Sequence, residues 1–435
     1  MKRASLLVIL LVALVLAVRT GEAQGQQPLL LLLKANGPIT PPMAEYISRG
    51  IQAAQQQNAE ALIVQLDTPG GDLGSLDSII QSIRASSVPV VIYVAPNGAM
   101  AGSAGALVTM AGHVSAMAPE AAIGASSPVG SSGQDLSTTE KAKASEIMKA
   151  QIRSLVEPRG PAAVQLAQDM IDNAKAVSAN EALQAHLIDL IASNTDDLIK
   201  QLDGRSVTMS SGARILHTSG ASTQPVEMTL VEQLLLVLTD PNIVFILLAL
   251  GVLALQVELT HPGAWVPGFV GVTCLALAIY GLGVLPVNWF GLVFIITAFV
   301  LFILDIKAPT HGALTVAGVA SFIAGALVLF NSPGVPAFER VSVPLVFGVG
   351  ISIGLMFAGI LTYALRAQKL PVQTGIGTVV GKFGTAKSDI KPLGQVQVES
   401  ELWTADAAEG STAIRRGDRV EVVDVHGVRL RVRKA

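Results

Sequence analysis

From residue 28 to residue 205, short apolar runs alternate with stretches whose apolar residues return every three or four positions. Leu29–Leu33, Ala61–Asp67 and Val90–Ala95 are almost unbroken apolar runs, the pattern of strands covered on both faces in a parallel sheet. Pro41–Gln57 places Ile47, Ile51 and Ala54 on one helical face, and further helices are predicted near Leu76–Arg84, opening near Ser103, and over Thr138–Glu157 and Pro161–Asn173. A short helix and an apolar strand within Ser178–Ile191 close the region. Strands interleaved with amphipathic helices predict an α/β domain, placed at residues 24–205.

Residues 206–227 are polar and rich in serine and glycine, so 206–240 is expected to be a linker. Five apolar stretches follow, at 242–259, 265–286, 289–306, 313–330 and 344–365, each close to the length that crosses a bilayer core. Turn residues join them, including His261-Pro262-Gly263 and Asn331-Ser332-Pro333-Gly334. They predict an α-helical transmembrane bundle of about five helices over 241–366. The tail at 371–435 regains charge. Strand-like runs at Gly375–Gly381, Gln395–Val398, Arg419–Val425 and Val428–Val432 predict a small all-β domain of the OB-fold type.

Composition sharpens this division. The 435 residues are 51% hydrophobic and 14% charged, against the ~25% charged usual for soluble domains. The chain is therefore expected to be a membrane protein with polar domains attached. A net charge of −3, and a tail without aromatic residues interleaved with its basic ones, argue against nucleic acid as a partner. Cys274 is the single cysteine, so no disulfide and no thiolate metal site can form within one chain. No cofactor and no metal are expected. Lys2 and Arg3 precede the apolar run Leu6–Val18, with small residues at Gly21 and Ala23, as in a secretion signal over residues 1–23. An exported α/β domain followed by five spans puts the carboxyl terminus in the cytoplasm. Lys307, Arg366 and Lys369 then face inward, as the positive-inside rule requires.

Two segments could carry chemistry. The strand ending at Asp67 runs into Thr68-Pro69-Gly70-Gly71, and the strand ending near Ala95 runs into Gly102-Ser103-Ala104-Gly105. Both reach the same sheet edge, so a bare backbone turn lies beside a serine at a helix amino terminus, where an anion is favoured. The amides of Gly71 and Ala104 are the natural donors to an oxyanion there. A serine among small residues is usually a packing residue, and the neighbouring glycine pair is what raises Ser103 above that. As partners, His113, His186 and His217 fit surface or structural roles better than a base. Lysine is the other option, because a desolvated ammonium loses its charge. Lys141, Lys143 and Lys149 lie on the helix opened by the capping box of Ser137 and Glu140, and periodicity does not choose among them.

With LDTPGG (Leu66–Gly71), PNGAMAGSAG (Pro96–Gly105), MAPEAAIGASSPVG (Met117–Gly130), IRSL (Ile152–Leu155) and ANEALQAHLIDLIA (Ala179–Ala192), the chain resembles the long-form NfeD proteins. These are membrane-bound serine proteases of the Clp-protease/crotonase-like superfamily and partners of stomatin-like proteins. The resemblance runs from the signal segment to the OB-fold tail. It implies a Ser-Lys dyad, with Ser103 as nucleophile. Alignment on Ile152-Arg153-Ser154-Leu155 puts the family lysine at Lys143, while a slip of register moves it to Lys141. It further implies Gly70 and Asp72 at the substrate, apolar peptide substrates including the carboxyl-terminal region of a stomatin-like partner, a homo-oligomer through the protease domain, and a bacterial inner-membrane location. Gly102, where the family commonly has alanine, departs from the pattern. The competing expectations are an idle membrane scaffold for stomatin-like assemblies and a Ser-Lys signal-peptide peptidase. Crotonase-like acyl-CoA chemistry would need no serine at position 103.

Overall fold

The structure is a computed structural model that describes residues 27–128, 136–260, 263, 265–307, 310, 312–331, 335, 339–368 and 379–435. The expected signal segment, residues 129–135 ahead of the helix that bears Lys141, Lys143 and Lys149, and the start of the strand expected at Gly375–Gly381 lie outside the described residues.

The chain opens with β1 (Leu29–Asn36), α1 (Pro41–Gln56), β2 (Ala61–Asp67), α2 (Leu73–Arg84), β3 (Val90–Val94), β4 (Met100–Gly102) and α3 (Ala104–Ala111). Then come β5 (Val114–Met117), β6 (Ala122–Gly124), α4 (Thr138–Val156), α5 (Pro161–Asp172), β7 (Ala176–Ser178), α6 (Ala179–Gln184), β8 (Leu190–Ile191) and α7 (Thr195–Leu202). A six-stranded parallel sheet contains β1-β2-β3-β5-β8 in that order, with residues 222–226 as its sixth strand beside β1, and β4, β6 and β7 form a small second sheet bridged to the end of β2 at Thr68↔Ala101. The central strands are buried: every residue of β3, and five of the seven in β2, are shielded from solvent. Continuous burial explains why their sequences do not alternate.

The expected linker is different in the structure. Residues 206–226 form β9 (Ser206–Met209), β10 (Gly212–Ile215) and β11 (Ser222–Val226), and β11 pairs with β1 in register from Leu29↔Ser222 to Leu33↔Val226. As a polar edge strand, β11 needs backbone partners and little apolar surface, so apolar periodicity did not reveal it. Tyr46 donates its hydroxyl proton to the Val226 carbonyl at 2.5 Å and ties α1 to this strand.

After the short helix α8 (Leu230–Val237) come α9 (Pro241–Thr260), α10 (Val266–Val284), α11 (Phe290–Lys307), α12 (Ala313–Phe330) and α13 (Val343–Gln368). Among the described residues, Pro241–Leu259, Val266–Val284, Ala313–Phe330 and Val343–Ile360 are long and apolar enough to cross a membrane, and Phe290–Asp305 is a shorter apolar helix. Four such helices therefore stand where five were expected. The short one packs tightly on α12: a Cβ on Gly291 would lie 2.3 Å from the Leu329 nitrogen, and Ser321 donates to the Phe294 carbonyl at 2.8 Å.

The chain divides into two compact units, residues 1–355 and 356–435. In the second, β12 (Phe383–Ala386), β13 (Leu393–Val398), β14 (Glu401–Ala407), β15 (Arg419–His426) and β16 (Arg429–Lys434) close a barrel in the order β12-β13-β14-β16-β15. Val396, Val398, Ala405, Val420, Leu430 and Val432 fill its interior, as the OB-type expectation requires.

Candidate active site

The site is assembled at the carboxyl ends of β2 and β3, where open parallel sheets present their ligand crevices. After β2, Thr68 is fully buried and its hydroxyl turns back on the next residues, accepting from the Gly70 amide at 3.1 Å and donating to the Gly70 carbonyl at 3.2 Å. Gly70 sits at φ +123, where a side chain would be strained, and a Cβ there would lie 2.6 Å from Ser103 Cβ. Gly71 runs beside Ile39: the Ile39 amide donates to the Gly70 carbonyl at 2.7 Å and the Asp72 amide to the Ile39 carbonyl at 2.9 Å. Asp72 then caps α2, its carboxylate accepting from the Ser75 amide at 2.8 Å.

Opposite this turn, β4 lies against Thr68, which donates its amide to the Met100 carbonyl at 2.7 Å and accepts from the Gly102 amide at 2.9 Å. Ser103 follows at φ 49 and ψ −118, directly before the first residue of α3. A non-glycine residue held in this region costs on the order of 1–3 kcal/mol, so the fold must impose it. Three contacts do so: the Ser103 amide donates to the Gly124 carbonyl at 2.8 Å, the Ser126 hydroxyl donates to the Ser103 carbonyl at 3.0 Å, and Gly70 leaves no room on the other side. Among the described residues, no acceptor engages the amides of Gly71 or Ala104. A carbonyl brought to the Ser103 hydroxyl can meet two free N–H groups and a helix amino terminus, an arrangement suited to acyl transfer.

Ser103 opens into a cleft of about 860 Å³, lined also by Ile39, Gly71, Asp72, Leu73 and Met148. Its far wall comes from the membrane-side segments, among them Leu236, Pro241, Leu285 and Glu339. Burial, and then the charge of Asp72, push the Glu339 carboxyl up to about 6. This acid was not singled out in the sequence, since it stands over two hundred residues from Ser103 and only tertiary packing joins them. Thr68 and Ser126 were missed too, although a threonine two residues before a glycine carries a turn signal. Apolar peptide binding to the Ser103→Ala chain is expected to tighten severalfold as pH falls through about 6, because a neutral Glu339 is cheaper to cover. Fluorescence titration from pH 7.5 to 5 measures this, and Glu339→Gln should flatten the curve.

The structure brings together Gly70, Gly71, Asp72, Ser103 and Ala104, and does not bring Lys143 to them. On α4 the buried residues are Ser145, Met148, Ile152 and Val156, and Lys143 is exposed on the other side of the helix. Lys141 heads the buried stripe but is itself exposed and lines a separate small cleft with Ser145, Lys149 and Asp172. Lys149 is held protonated by hydrogen bonds to Glu146 and then Asp172.

The three histidines fit structural or surface positions. His186 caps the end of α6 at φ 59, and His217 is exposed. His113 follows α3, and its Nδ1 accepts from the Val90 amide at 3.1 Å. Burial, helped by the Arg84 charge, lowers it to about 4. Its contribution to stability is present above the ordinary histidine value near 6.5 and is lost as pH falls through about 4, a linkage on the order of 3 kcal/mol. Hydrogen exchange at the Val90 amide, corrected for intrinsic rate, should show protection falling across that window in wild type and not in His113→Gln.

The α/β domain that carries this crevice, the apolar helices and the small barrel each correspond to a domain of one known family. Residues 35–227 match the NfeD1b N-terminal domain, 242–364 the NfeD integral membrane domain, and 377–434 the NfeD-like C-terminal, partner-binding domain. Membrane-bound protease PH1510 of Pyrococcus horikoshii is 34% identical over 402 residues, covering 91% of this chain and 90% of that protein. Membrane protein NfeD1b of Bacillus subtilis is 27% identical over 449 residues, covering 99% and 98%. A solved stomatin-specific membrane protease, 1510-N, in a lysine-to-alanine mutant bound to a substrate peptide, is 28% identical with a TM-score of 0.46, covering 49% of this chain and 99% of that one. The chain belongs to the NfeD family.

Proposed function

We propose that this chain is a serine endopeptidase in which Ser103 attacks the carbonyl of an apolar peptide segment and Lys143 takes its proton. The Ser103 oxygen bonds to the carbonyl carbon, the amides of Gly71 and Ala104 hold the resulting oxyanion, and the lysine returns the proton to the leaving amine. Water then releases the acyl group by the same path in reverse. Gly70 keeps the serine in position, and Asp72 borders the peptide. The substrate class includes the carboxyl-terminal region of a stomatin-like partner, with the barrel as a partner-binding module and a homo-oligomer as the working form. The protease domain faces the exterior of the inner membrane, and the four long apolar helices together with the shorter Phe290–Asp305 make five crossings that return the chain end to the cytoplasm.

The observation that carries this reading is Ser103 held at φ 49 beside a glycine turn with free amides. The lysine must still be delivered, by movement of α4 or by assembly. A second assignment, Lys141, is favoured by helix phase, since its stripe continues through Ser145 to Met148 in the cleft wall. The test is fluorophosphonate labelling of the full-length protein in phosphatidylcholine vesicles. Wild type should label and Ser103→Ala should not. Equal labelling of both removes Ser103 from the mechanism, and silence in both favours the scaffold.

A further inference from the structure

Helix α8 carries an apolar stripe that the protein leaves bare. Leu230, Val231, Leu234 and Val237 stand at successive positions of one helical side and are 83%, 64%, 51% and 51% exposed. The opposite side is fixed to the protease domain. Glu232 is buried there, and its two carboxylate oxygens accept from the Arg49 guanidinium at 2.7 Å each. Leu236 packs on the domain core, and Thr229 with Glu232 closes a capping box at the helix start. The helix therefore cannot roll its apolar side inward without breaking the ion pair and the cap together.

What covers the stripe follows from the next residues. Val237 is separated from Pro241, the start of a span with mean hydropathy 2.2, by Leu238, Thr239 and Asp240 alone. The first two of these are buried, so the joint is short and held. A helix tied this closely to the mouth of a span sits at the level where that span leaves the bilayer. We propose that α8 is an interfacial helix whose Leu230, Val231, Leu234 and Val237 side is seated at the boundary of lipid headgroups and acyl chains.

The same joint lines the Ser103 cleft through Leu236, Val237, Thr239, Asp240 and Pro241. Seating α8 in the lipid, with Arg49 and Glu232 as the strut, therefore sets the height of the cleft above the membrane. A peptide whose apolar segment partitions into the bilayer can then enter sideways, without complete transfer to water. This consequence rests on the peptidase reading, whereas the seating of α8 does not.

The test uses the full-length protein in phosphatidylcholine vesicles with a bimane probe on Val231→Cys in a Cys274→Ser background. Lipids with a nitroxide near the headgroup end of the acyl chain should quench this probe at least twofold more than aqueous iodide does. The same probe on Ser219→Cys, which is exposed on the domain, should show the reverse order. Iodide quenching equal at the two positions would overturn the proposal. So would an intermolecular disulfide through Val231→Cys, since a second copy would then cover the stripe. In cleavage assays, Leu230→Gln with Leu234→Gln should slow a bilayer-partitioned peptide about tenfold and leave a soluble peptide unchanged. Equal effects on both peptides would sink the sideways entry. Absence of all cleavage by wild type would strike the peptidase reading and leave the quenching result standing.

Discussion

The Ser103→Ala chain is expected to cleave an apolar peptide at least ~10³-fold more slowly than wild type, with its fold unchanged. Removing one hydroxyl takes nothing from the contacts that hold the elbow, since the Gly124 and Ser126 bonds engage the backbone of residue 103. The lysine variants then divide the two assignments. Loss of comparable size in Lys143→Ala, with Lys141→Ala near wild type, fits the family register, and the opposite pattern fits the phase of α4. Because nucleophile and base act as a unit, Ser103→Ala with Lys143→Ala should be no slower than Ser103→Ala alone. Steady-state cleavage by wild type and these four variants in vesicles measures this. Wild-type turnover by Ser103→Ala removes the serine mechanism outright, and full activity in both single lysine variants removes Lys141 and Lys143 as base.

Much of the site was legible in the sequence because its parts are local and backbone-driven. The end of β2 at Asp67, the glycine pair and the helix opening after Ser103 announce themselves through apolar runs that stop at residues of special conformation. Strands of three residues, such as β4 and β6, were not legible. They carry too few positions for any period, although β4 supplies the Thr68 bridge that seats the elbow. Strand β11 was hidden for another reason: an edge strand is held by hydrogen bonds, which leave little trace in hydropathy. The far wall of the cleft, with Glu339, exists only once the bundle is packed under the protease domain. The lysine illustrates the remaining limit. A helix rich in lysine fixes its own start through Ser137 and Glu140, yet its rotation depends on Ser145, Met148 and Ile152, which read ambiguously until the core is seen.

Replacing Gly71 with alanine is expected to lower turnover by roughly 10²–10³-fold, the usual cost of one oxyanion donor. The reason is steric and local. A Cβ at this position would lie 2.0 Å from the Ile39 carbonyl oxygen and 2.6 Å from the Ile39 nitrogen, and backbone atoms cannot swing aside as a side chain can. The loop must move away from Ile39, breaking the bonds from the Ile39 amide to Gly70 and from the Asp72 amide to Ile39. That movement carries the Gly71 amide off the line of the oxyanion, while Ser103, held from the β6 side by Gly124, stays where it is. Gly70→Ala acts on the other partner: its Cβ meets Ser103 Cβ at 2.6 Å, so the nucleophile is displaced and the amide is not. Fluorophosphonate labelling rate and peptide turnover, measured together, separate the two variants. Gly70→Ala should label hardly at all. Gly71→Ala should label slowly and completely, with its loss concentrated in kcat and not in KM, because the donor engages only the charged intermediate. Wild-type kcat in Gly71→Ala, with the alanine verified in the purified protein, would show that some other group holds the oxyanion.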